Sequence, residues 1–170
     1  MIQAVLFDLG GTLEDLSSTP LQRREAAAYI QKVLATRSKL FRMPEEMFFE
    51  ALTAGYERYK EYTASLREKS PEEIWGDFYL SAFPEGREVV ISMADHLSEL
   101  WETHFYVREI KPESKAVLTQ LRKAGFRIGL ITNTSSRSAP YLLLENYGVL
   151  ELFDLILTSA GEGHRKPGTT

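Results

Sequence analysis

No cysteine occurs anywhere in the 170 residues. That absence excludes disulfides, thiolate metal sites and cysteine nucleophiles together, and it fits a reducing compartment. A large excess of either charge is also missing, since 20 Lys and Arg stand against 24 Asp and Glu for a net charge of −4. Phosphate backbones are bound by a concentrated excess of basic residues, and here they are scattered, so no nucleic-acid partner is expected. Long apolar runs are absent too. The segment before Asp8 is too short for a signal peptide, and nothing approaches the ~20 apolar residues that span a bilayer. A cytoplasmic protein without a membrane partner is the expectation. Internal repeats and low-complexity tracts are likewise lacking. What remains is 44% hydrophobic and 26% charged, enough for one globular domain or a core with one large insertion.

Residues 2–7 read as a buried parallel strand, a short apolar run ending in Asp8 and the pair Gly10-Gly11. The pattern then turns helical. Pro20 opens a helix through Arg37, with Ala26, Ala27, Ile30, Val33 and Leu34 at three-to-four spacing. Pro44-Glu45-Glu46 starts a second, which carries Phe48, Leu52, Tyr56 and Tyr59 on one stripe. Ser70-Pro71-Glu72-Glu73 has the form of a capping box. It opens a third helix with Trp75, Phe78 and Tyr79, and a fourth is predicted over 87–105. After Pro112 the syntax changes to helix 113–124, strand 127–132, helix 136–146 and strand 153–157. The expected fold class is α/β: a partial, Rossmann-like parallel-sheet core from residues 1–16 plus 107–170, interrupted by an α-helical bundle at 17–106. Chemistry in open α/β sheets sits at the carboxyl ends of strands. An insertion leaving the chain just after Asp8 would overhang those ends as a lid.

Three groups could carry chemistry. Asp8-Leu9-Gly10-Gly11-Thr12 puts a carboxylate at a strand end, before a turn able to point backbone N–H groups at an anion. An Asp capping an ordinary strand-to-helix turn would look the same. Thr132-Asn133-Thr134-Ser135 offers hydroxyl and amide groups after another strand, although such residues also cap helices. His164-Arg165-Lys166-Pro167 is a basic tip after the third strand. Their order brings all three to one edge of one sheet, where a shared anion site explains them better than three unrelated turns do.

Val5-Leu6-Phe7-Asp8-Leu9-Gly10-Gly11-Thr12-Leu13 resembles the first motif of the haloacid dehalogenase superfamily, Leu130-Ile131-Thr132-Asn133 its second, and Arg165-Lys166-Pro167 its third. The inserted helices correspond to that superfamily's helical cap. The resemblance implies a Mg²⁺-dependent phosphatase that acts on a small phosphorylated metabolite through an aspartyl-phosphate on Asp8. Thr132 would hydrogen-bond a phosphoryl oxygen, Lys166 would neutralise charge, and Gly11, Thr12 and Asn133 would contact substrate. Mg²⁺ would be held by Asp8, the Gly10 carbonyl and an acidic residue further along.

The chain departs from that pattern twice. Gly10 stands where phosphatase members carry the Asp that protonates the leaving group, a role worth about 10²–10⁴ in rate. The sequence stops at Thr170, before the superfamily's acidic fourth motif and the strand that would lie beside the first, so a fragment of a longer protein with an incomplete metal site is expected. Two other readings stay open: a binding module that has lost catalysis, and a metal-independent haloacid dehalogenase. Tyr56, Tyr59, Tyr62, Trp75, Phe78, Tyr79, Trp101 and Phe105 read first as bundle core and second as a pocket wall. Arg58, Arg67 and Arg108 read as solvated, and His96 and His104 as core or surface residues rather than ligands.

Overall fold

The computed structural model of the protein describes residues 2–168. Along the chain run β1 (Ala4–Phe7), β2 (Glu14–Ser17), α1 (Pro20–Ala35), α2 (Glu45–Tyr62) and α3 (Pro71–Glu73), the last continued by a π-helical turn at Ile74–Tyr79. Then come α4 (Arg87–Ser92), α5 (Ala94–His104), β3 (Val107–Ile110), α6 (Ser114–Lys123), β4 (Arg127–Thr132), α7 (Ala139–Asn146), β5 (Leu155–Thr158) and α8 (Ser159–Glu162). The parallel sheet has the order β1-β4-β5. Its register pairs Phe7 with Leu130 and Thr132 with Thr158, so β4 and β5 end together and β1 stops two residues short of them on the same edge. Residue 1 and residues 169–170, the extremities of the expected core unit, lie outside the described residues.

The capping box forms as the sequence predicts: the Ser70 hydroxyl accepts from Glu73 N at 3.2 Å, and the Glu73 carboxylate accepts from Ser70 N at 3.0 Å. Three expectations change. β1 is not buried. It pairs with β4 alone among the described residues, and Leu6 is 58% exposed. An apolar run reads alike for a central and an edge strand, because burial depends on neighbours that the run itself does not encode. The fourth helix is two, α4 and α5, interrupted at Met93 where ψ is 4°. Val90, Ala94, Leu97 and Trp101 are all buried, so the apolar spacing runs straight across the break. Lastly, β2 and β3 form an antiparallel ribbon, with Glu14 opposite Ile110 and Ser17 opposite Val107. The polar Glu-Asp-Leu-Ser of β2 carries no strand signature. The ribbon lies where the chain leaves the sheet and returns to it.

Two apolar clusters result. The larger lies within the inserted helices and includes Ile30, Leu34, Phe41, Phe48, Trp75 and Leu97, and the smaller joins Leu9 and Leu13 to Leu118, Ile128, Leu130 and Leu144. In the larger, Trp75 satisfies its indole N–H on the Ser98 hydroxyl at 2.8 Å. α2 meets the π-helical turn backbone to backbone at Gly55, where an added Cβ would stand 2.3 Å from the Phe78 carbonyl oxygen and 2.4 Å from that of Tyr79. Backbone cannot swing aside as a side-chain tip can. Gly55→Ala is therefore expected to cost about 1–3 kcal/mol, seen as a lower midpoint in thermal denaturation. An unchanged midpoint would mean that this contact is looser than drawn.

Candidate active site

Asp8 directly follows β1, so the alignment of strand ends sets it beside the end of β4. Gly11 adopts a φ of +78°, a left-handed turn that glycine enters without strain, and its N–H donates to the Glu14 carbonyl at 2.8 Å. The Asp8 Oδ1 accepts the Leu9 N–H at 2.8 Å and faces Lys166 Nζ at 3.0 Å. Lys166 is held there from two sides. Its ammonium donates to the Ile131 carbonyl at 2.5 Å, while its backbone N–H donates to Asn133 Oδ1 at 2.9 Å and its carbonyl accepts from Asn133 Nδ2 at 3.1 Å. Both ends of the Asn133 amide thus fasten the lysine loop to the end of β4.

A cavity of about 300 Å³ opens over these strand ends, lined by Asp8, Gly10, Thr132 and Asn133 from the sheet side. Thr132 is 6% exposed. Gly11 and Thr12 are exposed and lie outside the wall, and Lys111 donates to the Gly11 carbonyl at 3.0 Å. The inserted helices supply the opposite wall, including Tyr56, Tyr59, Tyr79 and Trp101. These aromatics therefore serve both as helical core and as cavity lining.

Buried carboxylates that the sequence does not single out tie the two walls together. Glu102, on α5, accepts from the Thr134 hydroxyl at 2.9 Å, the Ser135 N–H at 3.1 Å and the Ser135 hydroxyl at 3.0 Å, all in the loop after β4. Its other oxygen takes Arg108 at 2.9 Å. Arg108 also pairs with Glu14, whose side chain is fully buried and accepts the Tyr147 hydroxyl as well. The expectation of a solvated Arg108 is thus corrected: its side chain is 11% exposed and neutralises two buried carboxylates. A second tie runs from Glu68 to the Ser159 hydroxyl at 2.6 Å and to Arg165. Glu14 lies on a strand, Glu68 in a loop and Glu102 on a helix, and only the fold reveals their partners.

Charge-assisted bonds to a carboxylate contribute about 1.5–3 kcal/mol. Glu102→Gln keeps the shape and removes the charge, so a melting point lower by roughly 5 °C is expected. A calorimetric midpoint equal to that of the parent would show that Glu102 contributes no net stability.

Burial shifts several of these groups. The Tyr147 hydroxyl is pushed up by burial and then by its bond to Glu14, and the Tyr79 and Tyr106 hydroxyls are pushed up mainly by burial. Burial also raises Glu68, against the opposing pull of Ser159 and Arg165. At the edge of the interface, the bond to Arg137 draws the Glu72 carboxyl down to about 2. Arg137 reaches Asp95 at 2.7 Å as well.

Of the other candidates, His104 bonds the Leu100 carbonyl at 2.9 Å and stacks on Tyr29, His96 is exposed, and Arg58 caps the Phe78 carbonyl at 3.0 Å. A magnesium ion takes six oxygen ligands. The expected ligands are Asp8 and the Gly10 carbonyl. No cluster of three or more acidic or histidine side chains suited to a metal occurs among the described residues. Nor is any helix among them long and apolar enough to cross a membrane.

The model of the haloacid dehalogenase-like hydrolase family matches residues 2–169. No curated protein matches the chain in sequence. Among solved structures, a HAD phosphatase from Thermococcus onnurineus is similar at 19% identity and a TM-score of 0.48 over 94% of this chain and 63% of its own. A predicted phosphoglycolate phosphatase from Haemophilus somnus 129PT shares 15% identity at a TM-score of 0.50, covering 98% of this chain and 66% of its own. The L-2-haloacid dehalogenase from Xanthobacter autotrophicus with chloropropionic acid covalently bound shares 16% at 0.49, over 98% and 60%. The chain thus spans about two thirds or less of these relatives. At such identities the likeness concerns the fold alone.

Proposed function

The chain belongs to the haloacid dehalogenase-like hydrolase family, and from that premise we propose that it hydrolyses a small phosphorylated metabolite through an aspartyl-phosphate on Asp8. The supporting observation is Lys166 Nζ, 3.0 Å from Asp8 Oδ1 at the sheet edge where Thr132 lines the same cavity. Oδ1 is occupied by two donors, which leaves Oδ2 to attack phosphorus. The P–O bond to the leaving group then breaks, and water hydrolyses the acyl phosphate to regenerate Asp8. Lys166 offsets the repulsion between the carboxylate and the phosphate dianion, and Thr132 donates to a phosphoryl oxygen. Asn133 acts here by positioning Lys166. In this reading residues 17–106 are the cap over a core of 1–16 plus 107–170, working in the cytoplasm. Mg²⁺, when bound, would supply further positive charge at Asp8 and the Gly10 carbonyl.

Gly10 favours two other readings, a binding module and a metal-independent dehalogenase, because neither needs a leaving-group acid. Acid-quenched protein incubated with phenyl phosphate and Mg²⁺ separates the three. A phosphoryl group on the peptide containing Asp8 is the expected result. Halide release from a 2-halo acid in the presence of a chelator would identify the dehalogenase, and neither product would leave the binding module.

A further inference from the structure

An alkyl ester leaves as an alkoxide and needs a proton, because an alcohol, like water, titrates near ~16. A phenol titrates near ~10 and leaves far more readily without one. Apart from Asp8 itself, the only carboxyl side chain lining the cavity among the described residues is that of Glu102. Residue 10 has no side chain, and a Cβ placed there would stand 2.8 Å from Leu16 Cδ2 and 3.9 Å from Glu14 Oε1, so the Leu16 side chain fills the space over Gly10. The nearby carboxylates are committed as acceptors: Glu102 to Thr134, Ser135 and Arg108, and Glu14 to Arg108 and Tyr147. Both face the Arg108 guanidinium, which does not itself release a proton. Lys60 lies at the open side with its side chain 65% exposed.

The wall facing this apolar corner is aromatic. Tyr56 is half-buried, its ring 5.8 Å from that of Trp101 and 6.0 Å from that of Tyr79, and all three line the cavity. Tyr59 lines it too, is 4% exposed, and its hydroxyl has no hydrogen-bond partner among the described residues.

We infer that this cavity takes phosphate esters with an aromatic leaving group, which departs as an aryloxide beside Leu16 without a general acid. The inference rests on the phosphatase reading and names its substrate class. Asp8 Oδ2 bonds to phosphorus, the P–O(aryl) bond breaks, its electron pair leaves with the aryloxide, and the proton is taken up afterwards from water.

Binding is measured without turnover, by tryptophan fluorescence, using phenylphosphonate and propylphosphonate. Phenylphosphonate is expected to bind at least about tenfold more tightly. Tyr56→Leu should erase the difference and Tyr56→Phe should keep it, with thermal melts showing that both variants fold. Rates are then compared for 4-nitrophenyl, phenyl and propyl phosphate with Mg²⁺ present. A steep rise with leaving-group acidity among the esters is expected, with propyl phosphate about 10²-fold or more below phenyl phosphate. Equal binding of the two phosphonates, binding of neither, or equal turnover of phenyl and propyl phosphate would each overturn the inference. If phenylphosphonate is preferred while no ester is cleaved and Asp8 is never phosphorylated, the aromatic specificity stands and the phosphatase reading fails.

Discussion

Asp8→Asn is expected to lower phosphate release by at least about 10³-fold while leaving the protein folded. The amide matches the carboxylate in size, and its oxygen still accepts the Leu9 N–H that Asp8 Oδ1 accepts at 2.8 Å. What disappears is the anionic oxygen that attacks phosphorus. Lys166 loses its partner but stays anchored through the Ile131 carbonyl and Asn133. Stability should change little, because the Asp8 and Lys166 side chains are 41% and 36% exposed and solvent screens such a pair. Phosphate release at saturating Mg²⁺, set beside a thermal melt, checks both halves. A folded Asp8→Asn protein retaining more than about a tenth of the rate would remove Asp8 from the nucleophile's role.

Arg108→Met is expected to destabilise the protein by about 3–5 kcal/mol, a fall of roughly 10 °C in melting temperature. Methionine keeps much of the length and apolar stem but no charge. It strands the Glu14 carboxylate, whose side chain is 0% exposed, and frees one oxygen of Glu102. Breaking a buried pair from one side leaves an uncompensated charge, which is why this variant should cost more than Glu102→Gln. The double replacement Arg108→Met with Glu14→Gln should recover part of the loss, since it removes the stranded charge as well. Chemical denaturation of the three proteins tests this. A single variant within about 1 kcal/mol of the parent would show that water reaches the network and hydrates it.

The contrast between these two variants reflects how each site is written in the chain. Asp8 and Thr132 could be recognised because they sit at the ends of paired parallel strands, which share one edge, and Lys166 because it lies in the basic tip beyond the third strand. The capping box at Ser70 was legible for a similar reason: its partners lie three residues apart, within reach of one another whatever the rest of the molecule does. Arg108 and Glu14 are 94 residues apart, and neither has a neighbour that marks it as buried. Glu102 lies on a helix between Trp101 and Thr103 and resembles any solvated glutamate. The same blindness applies to β1, which has the composition of a buried strand but an exposed Leu6.

The amino-acid sequence by itself determined the family, the α/β alternation, the helical insertion after Asp8, and the residues at the strand ends. Those properties depend on local periodicity and on short motifs, whose physics is completed within a few residues. The tertiary structure alone decided that Asn133 clasps the Lys166 loop, that Gly11 and Thr12 stand outside the cavity, and that Leu16 occupies the corner beside Gly10. It also decided that the aromatic stripes of the insertion face the sheet's strand ends, with Glu102 and Arg108 joining the two walls. These facts arise from contacts between distant segments, and their energy depends on burial and on the pairing of charges, which exist only once the two apolar clusters have formed.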